Sequence, residues 1–243
     1  MSGHSHWAGI KHKKQLADLQ RGKVFSKLAR EIEIAARNGK DPEMNPKLRM
    51  AIEKAKEAKM PSENIERAIK RGCGELTGEK LEEILFESYG PGNIAIIIEG
   101  ITDNKNRTLN EIKQILNQNN GKLVSEGAVK WMFERKGCIT VNLQFSISNF
   151  QNKENLEMAA IEAGAEDIYW HNDILDVYTK VEDLEKVKKN LEERGIKVES
   201  FSLDWVPKEE IEVDEKTKES CQKLFEALDE NEAVQEIYSN LKI

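Results

Sequence analysis

The chain has 243 residues, 39% of them hydrophobic and 33% charged, with a formal net charge of −7. That composition builds a folded core, and its longest aliphatic run, Ile94 to Ile98, falls far short of the roughly 20 residues of a membrane span. Three dispersed cysteines (Cys73, Cys138 and Cys221) fit reduced thiols better than a disulfide framework, and with a start that has no apolar signal core they predict a cytoplasmic location.

The charge is unevenly distributed along the chain. Residues 1–75 hold 17 Lys/Arg against 10 Asp/Glu, and residues 76–243 hold 20 against 34. A cationic block on an acidic chain points to one end meeting a polyanion while the rest keeps the protein soluble. The block opens with an arm holding His4, His6, Trp7, Lys11, His12, Lys13 and Lys14, cations for phosphates beside an aromatic that can stack on a base. The periodicity then predicts a helix over 18–38, with Val24, Phe25, Leu28, Ile32 and Ala35 in one apolar arc. Lys23, Lys27, Arg30 and Arg37 gather on its opposite side, with Lys23, Lys27 and Arg30 expected to face outward and Arg21 counted among the nucleic-acid contacts. Gly39 supplies the stop. A second helix starts at the cap Asn45 and Pro46 and buries Leu48, Ala51, Ile52, Ala55 and Ala58. A third follows Met60-Pro61-Ser62, with Ile65, Ala68 and Ile69 inward and Arg67, Lys70 and Arg71 outward.

Beyond Gly72–Gly78 the period shifts toward two. Strands are predicted over 81–89 and 94–100, joined by a hairpin turn at Gly90-Pro91-Gly92-Asn93. A helix capped at Thr102 or Asp103 follows, with Leu109, Ile112 and Leu116 inward, then a strand over 128–133. From Cys138 the order is strand, helix, strand, strand, helix, strand, closing at Trp205, which is that of a ferredoxin-like split-βαβ module. The tail 211–241 is expected to form one or two acidic helices that need a host surface.

No enzyme signature is present: no phosphate-binding Gly-x-x-x-x-Gly-Lys loop, no His-Glu-x-x-His, no Gly-x-Ser-x-Gly. The histidine spacing matches no zinc pattern, so neither metal nor cofactor is expected. Thr102 to Thr108 reads first as a helix cap, with Lys105 and Arg107 as a possible secondary anion site at the helix start.

Several of these segments carry a resemblance. Gly3 to Lys14 resembles the opening of the YebC family, as do Arg21 to Leu28, Asn45-Pro46-Lys47-Leu48-Arg49 and Ile65 to Gly72. Tyr89-Gly90-Pro91-Gly92, Thr102 to Thr108 and Val234-Gln235-Glu236-Ile237-Tyr238 fit the same pattern. His6 stands where the family usually has Lys, and Gly9 where it often has Asn. The resemblance implies a three-domain α+β protein: a basic helical domain over 1–76, a middle α+β domain over 77–133 completed by 206–243, and an inserted ferredoxin-like domain over 134–205. It implies a non-enzymatic DNA-binding transcriptional regulator. A ribosome- or RNA-binding translation factor is the alternative, since a mitochondrial relative activates translation. A third possibility is a scaffold whose basic face binds an acidic protein, including its own C-terminal half.

Overall fold

The computed structural model describes residues 5–6, 18–78, 80–143, 152–171 and 173–242, with side chains from residue 22 onward. Among them are seven α-helices and two β-sheets, a mixed α+β architecture. The chain divides into two compact units. One is built on Lys130–Glu212, the other on His6–Val129 and Val213–Ser239.

The larger unit begins with helices Asp18–Ala36 (α1), Pro46–Glu57 (α2) and Ser62–Gly72 (α3). Their apolar stripes meet in one core of Leu28, Ile32, Ala35, Leu48, Ile52, Ala55, Ile65 and Ala68, with Val24 and Phe25 packed at its edge. Asn45 caps α2 by accepting from Leu48 N (3.1 Å). Its Nδ2 donates to Ala35 O and Gly39 O, both at 2.8 Å, so one buried amide starts α2 and fastens it to the end of α1. Close approach dictates Gly72: a Cβ there would lie 2.2 Å from Glu33 O and 2.7 Å from Ala36 Cβ, so the end of α3 rests directly on α1.

The five-stranded sheet of this unit has the order β1-β9-β3-β2-β4. Its strands are Ser5–His6 (β1), Glu82–Tyr89 (β2), Ala95–Thr102 (β3), Lys122–Val124 (β4) and Val234–Ser239 (β9). β2 and β3 form the expected hairpin, in register from Glu82↔Thr102 to Tyr89↔Ala95. Its turn holds Gly92 at φ 70° and Asn93 at φ 58°, left-handed values that these two residue types tolerate. Ile96, Ile97 and Ile98 are fully buried, as a strand covered on both faces requires. Helix Lys105–Gln118 (α4) follows β3, and helix Glu215–Asp229 (α7) leads into β9.

Three expectations are corrected here. The cap of α4 is Asn104, not Thr102 or Asp103, because Thr102 still pairs with Glu82 at the end of β3. Residues 128–132 are not a strand. Glu87, 2% exposed, accepts from Gly127 N (2.6 Å) and Val129 N (2.7 Å), so a carboxylate takes amides that a ladder would need. The second tail element is strand β9 instead of a helix. Beside β3 an open edge outweighs a weak helical period, pairing Ile97↔Tyr238 and Ile98↔Ile237.

In the other unit, Phe133–Asn142 (β5), Lys153–Ala163 (α5), Asp167–His171 (β6), Ile174–Thr179 (β7), Leu184–Glu193 (α6) and Val198–Pro207 (β8) alternate as the sequence suggests. The sheet order β6-β7-β5-β8, all antiparallel, is that of a ferredoxin-like split βαβ. Gly137 has no room for a Cβ, which would fall 2.9 Å from Leu184 Cβ, so α6 packs flush on the central strand.

Candidate nucleic-acid interface

Helical pitch places Lys23, Lys27 and Arg30 at i, i+4 and i+7, along one stripe of α1. The expectation that all three face outward is corrected. Lys23 is exposed, but the Lys27 side chain is only 12% exposed and its Nζ sits 2.9 Å from Asp229 Oδ1, also donating to Asp229 O at 2.9 Å. Arg30 Nη1 donates to Glu232 O at 2.7 Å, and its guanidinium lies 3.6 Å from the Glu232 carboxylate. Asp229 at the end of α7 and Glu232 in the turn after it therefore cover two cations that sequence periodicity alone left to solvent. Lys54 on α2 is held likewise, 3.6 Å from Glu31 and 3.4 Å from Glu236. Burial raises the Glu31 carboxyl above its ordinary value, with Lys54 opposing the shift.

Helix α3 differs. Arg67, Lys70 and Arg71 occupy one exposed face, at i, i+3 and i+4, and form no ion pair among the described residues. Because Gly72 seats the end of α3 on α1, the two helices share a cleft of about 540 Å³. Ser26, Ala29, Arg30, Glu33, Arg71, Thr77, Gly78 and Leu81 line it. Arg30 and Arg71 bring guanidinium groups to its wall and Ser26 and Thr77 bring hydroxyls, with the Glu33 carboxylate among them.

His4, Trp7, Lys11, His12, Lys13 and Lys14, with the side chains of His6 and Arg21, lie outside the described residues. At α4, Asn104 accepts from Arg107 N (3.0 Å), and Thr102 Oγ1 accepts from Asn104 N (3.0 Å). Arg107 pairs with Asp103 and reaches Glu111 at 3.7 Å. Its charge is largely neutralised locally, and Lys105 beside it is exposed. No group of three or more His, Cys, Asp or Glu among the described residues could hold a metal ion, and none of their helices is long and apolar enough to cross a membrane.

Comparison with known proteins gives the family. The family model described as the TACO1/YebC protein N-terminal domain matches residues 5–75, and that described as the TACO1/YebC second and third domain matches residues 81–241. A "Probable transcriptional regulatory protein" of Halothermothrix orenii is 50% identical, covering 100% of this chain and 96% of its own length. One of the same name from Aquifex aeolicus is 46% identical over the same shares. The crystal structure of a conserved hypothetical protein from Aquifex aeolicus superposes with a TM-score of 0.89 at 46% identity, covering 98% of this chain and 97% of that one. The chain belongs to the TACO1/YebC family.

Proposed function

We propose that this protein is a non-enzymatic, nucleic-acid-binding regulator of gene expression, acting as a DNA-binding transcriptional regulator in the sense of its relatives' names. The observation that carries the reading is the face of Arg67, Lys70 and Arg71 on α3, three exposed cations that form no ion pair among the described residues. Lys23 and the shared cleft continue that face across α1, and the arm from His4 to Lys14 extends it in sequence. The helices lie within residues 1–76, and Lys105, beside the paired Arg107, stands as a secondary anion contact.

The alternative is a translation factor on structured RNA. It draws on the position of the three cations in the C-terminal half of α3. Recognition helices read base edges from their N-terminal residues, whereas cations at the other end meet phosphates, which favours shape over sequence. The scaffold reading finds an echo within the chain itself, where Lys27 and Arg30 already bind acidic residues of the tail.

The test is a competition titration at physiological salt, labelled structured RNA against duplex DNA, with Arg67→Glu/Lys70→Glu/Arg71→Glu as control. Loss of binding in the variant with an unchanged melting curve supports the reading. Duplex preference selects the transcriptional form and RNA preference the translational one. Equal affinity of variant and wild type removes the α3 face from the interface.

A further inference from the structure

Four ion pairs tie the helical bundle α1–α3 to the sheet part of the same unit. Lys27 on α1 meets Asp229 at 2.9 Å, and Arg30 meets Glu232 at 3.6 Å. Lys47 on α2 meets Glu83 of β2 at 3.8 Å, and Lys54 meets Glu236 of β9 at 3.4 Å. In each of these pairs the cation belongs to the bundle and the carboxylate to the sheet side.

The apolar core of the bundle closes on itself, from residues 24–69. Beside it, Ala29 and Arg30 of α1 and Thr77, Gly78 and Leu81 of the connection to β2 line the cleft of about 540 Å³, so packing between bundle and sheet is open there. A bundle with its own core, joined by ion pairs next to an open cleft, is held by contacts that salt and competing anions weaken. Those contacts engage the cations that a nucleic acid would use. Along the stripe of α1, Lys23 is exposed while Lys27 and Arg30 are covered. A phosphate at Lys23 is one helical turn from the Lys27–Asp229 pair, and a duplex brings roughly one negative charge per 1.7 Å of its axis.

We propose that Glu83, Asp229, Glu232 and Glu236 form an autoinhibitory rim, standing in for phosphates on the bundle until a polyanionic nucleic acid displaces them and parts the bundle from the sheet. The inference rests on the nucleic-acid reading above and adds an order of events. The open face of α3 makes the first contact, and the covered stripe of α1 joins the interface when the rim lets go.

The experiment pairs affinity with amide hydrogen exchange on the full chain. Labelled duplex DNA and labelled structured RNA are titrated in turn against wild type, Asp229→Asn/Glu232→Gln and Glu154→Gln/Glu219→Gln. The last variant removes the same two charges from exposed positions on α5 and α7 outside the four ion pairs. Thermal melting checks each fold. Glu232→Gln alone, at a side chain 72% exposed, replaces the rim variant if the double substitution unfolds the protein. The rim variant is expected to bind about tenfold more tightly than the charge-matched control, the most that two ion pairs of this kind are worth together. Exchange over residues 229–234 is expected to quicken when wild type binds nucleic acid. A rim variant no tighter than the control overturns the proposal, and so does exchange over 229–234 that slows or stays constant on binding. In either case the functional reading survives if Arg67→Glu/Lys70→Glu/Arg71→Glu still loses affinity. Wild type that binds neither probe refutes both.

Discussion

Asn45, Glu87 and Glu31 are three polar residues whose roles differ by what surrounds them. Asn45 was legible in the sequence as a cap before Pro46, but its two bonds to the end of α1 were not, because they join positions that only folding brings together. Asn45→Ala therefore removes a cap and leaves the Ala35 and Gly39 carbonyls without their donor, and should destabilise the protein by about 2 kcal/mol in urea unfolding. Glu87→Ala leaves the Gly127 and Val129 amides without their acceptor. A loss of about 2–3 kcal/mol is expected, against a smaller one for Glu87→Gln. Glu31 shows the opposite sign. Its carboxyl titrates above the ordinary 4.5 in the folded protein, so the native state holds the proton to higher pH than the unfolded chain does. Stability is thereby lost as pH rises through that interval and stays lost above it. Glu31→Gln should raise the melting temperature near pH 7, and the gain over wild type should disappear below the unfolded carboxyl value.

At the scale of elements, the helices of the first 75 residues, the β2–β3 hairpin and the ferredoxin-like order were readable because local periodicity and turn residues agree with the final fold. The failures have a common cause. Residues 128–132 and β9 take conformations set by Glu87 and by the open edge of β3, partners remote in sequence. The same holds for the candidate interface. The stripe Lys23–Lys27–Arg30 is a correct reading of α1, yet its outward face was wrong for two of three residues, since the end of α7 and the turn after it bring Asp229 and Glu232 against them. Lys27→Glu opposes Asp229 and should destabilise the protein, whereas Arg67→Glu should not. The α3 face is thus the clean place to test binding. Asp229→Asn should release Lys27 and tighten nucleic-acid binding several-fold in the titration described above, if the α1 stripe contributes phosphate contacts.

For the whole molecule, the net charge of −7 hides a cationic end, and binding should follow the local charge. The affinity for duplex DNA should fall linearly on a log–log plot against salt, with a slope of roughly −0.9 per phosphate neutralised. Replacing Arg67, Lys70 and Arg71 with alanine should flatten that slope by about 2–3 units. A slope unchanged by the triple substitution would place the phosphate contacts elsewhere.

The pairing of β3 with β9 also shapes how the protein is made. Glu99 and Tyr238, cross-strand neighbours, stand 139 positions apart. During translation the whole ferredoxin-like unit must be synthesised before β9 exists, so β3 waits with its Ile96–Ile98 edge unpaired. A newly synthesised chain at that stage offers an aliphatic strand edge to any other chain beside it. The interval between making β3 and making β9 is when this protein is most prone to aggregate and most in need of a chaperone.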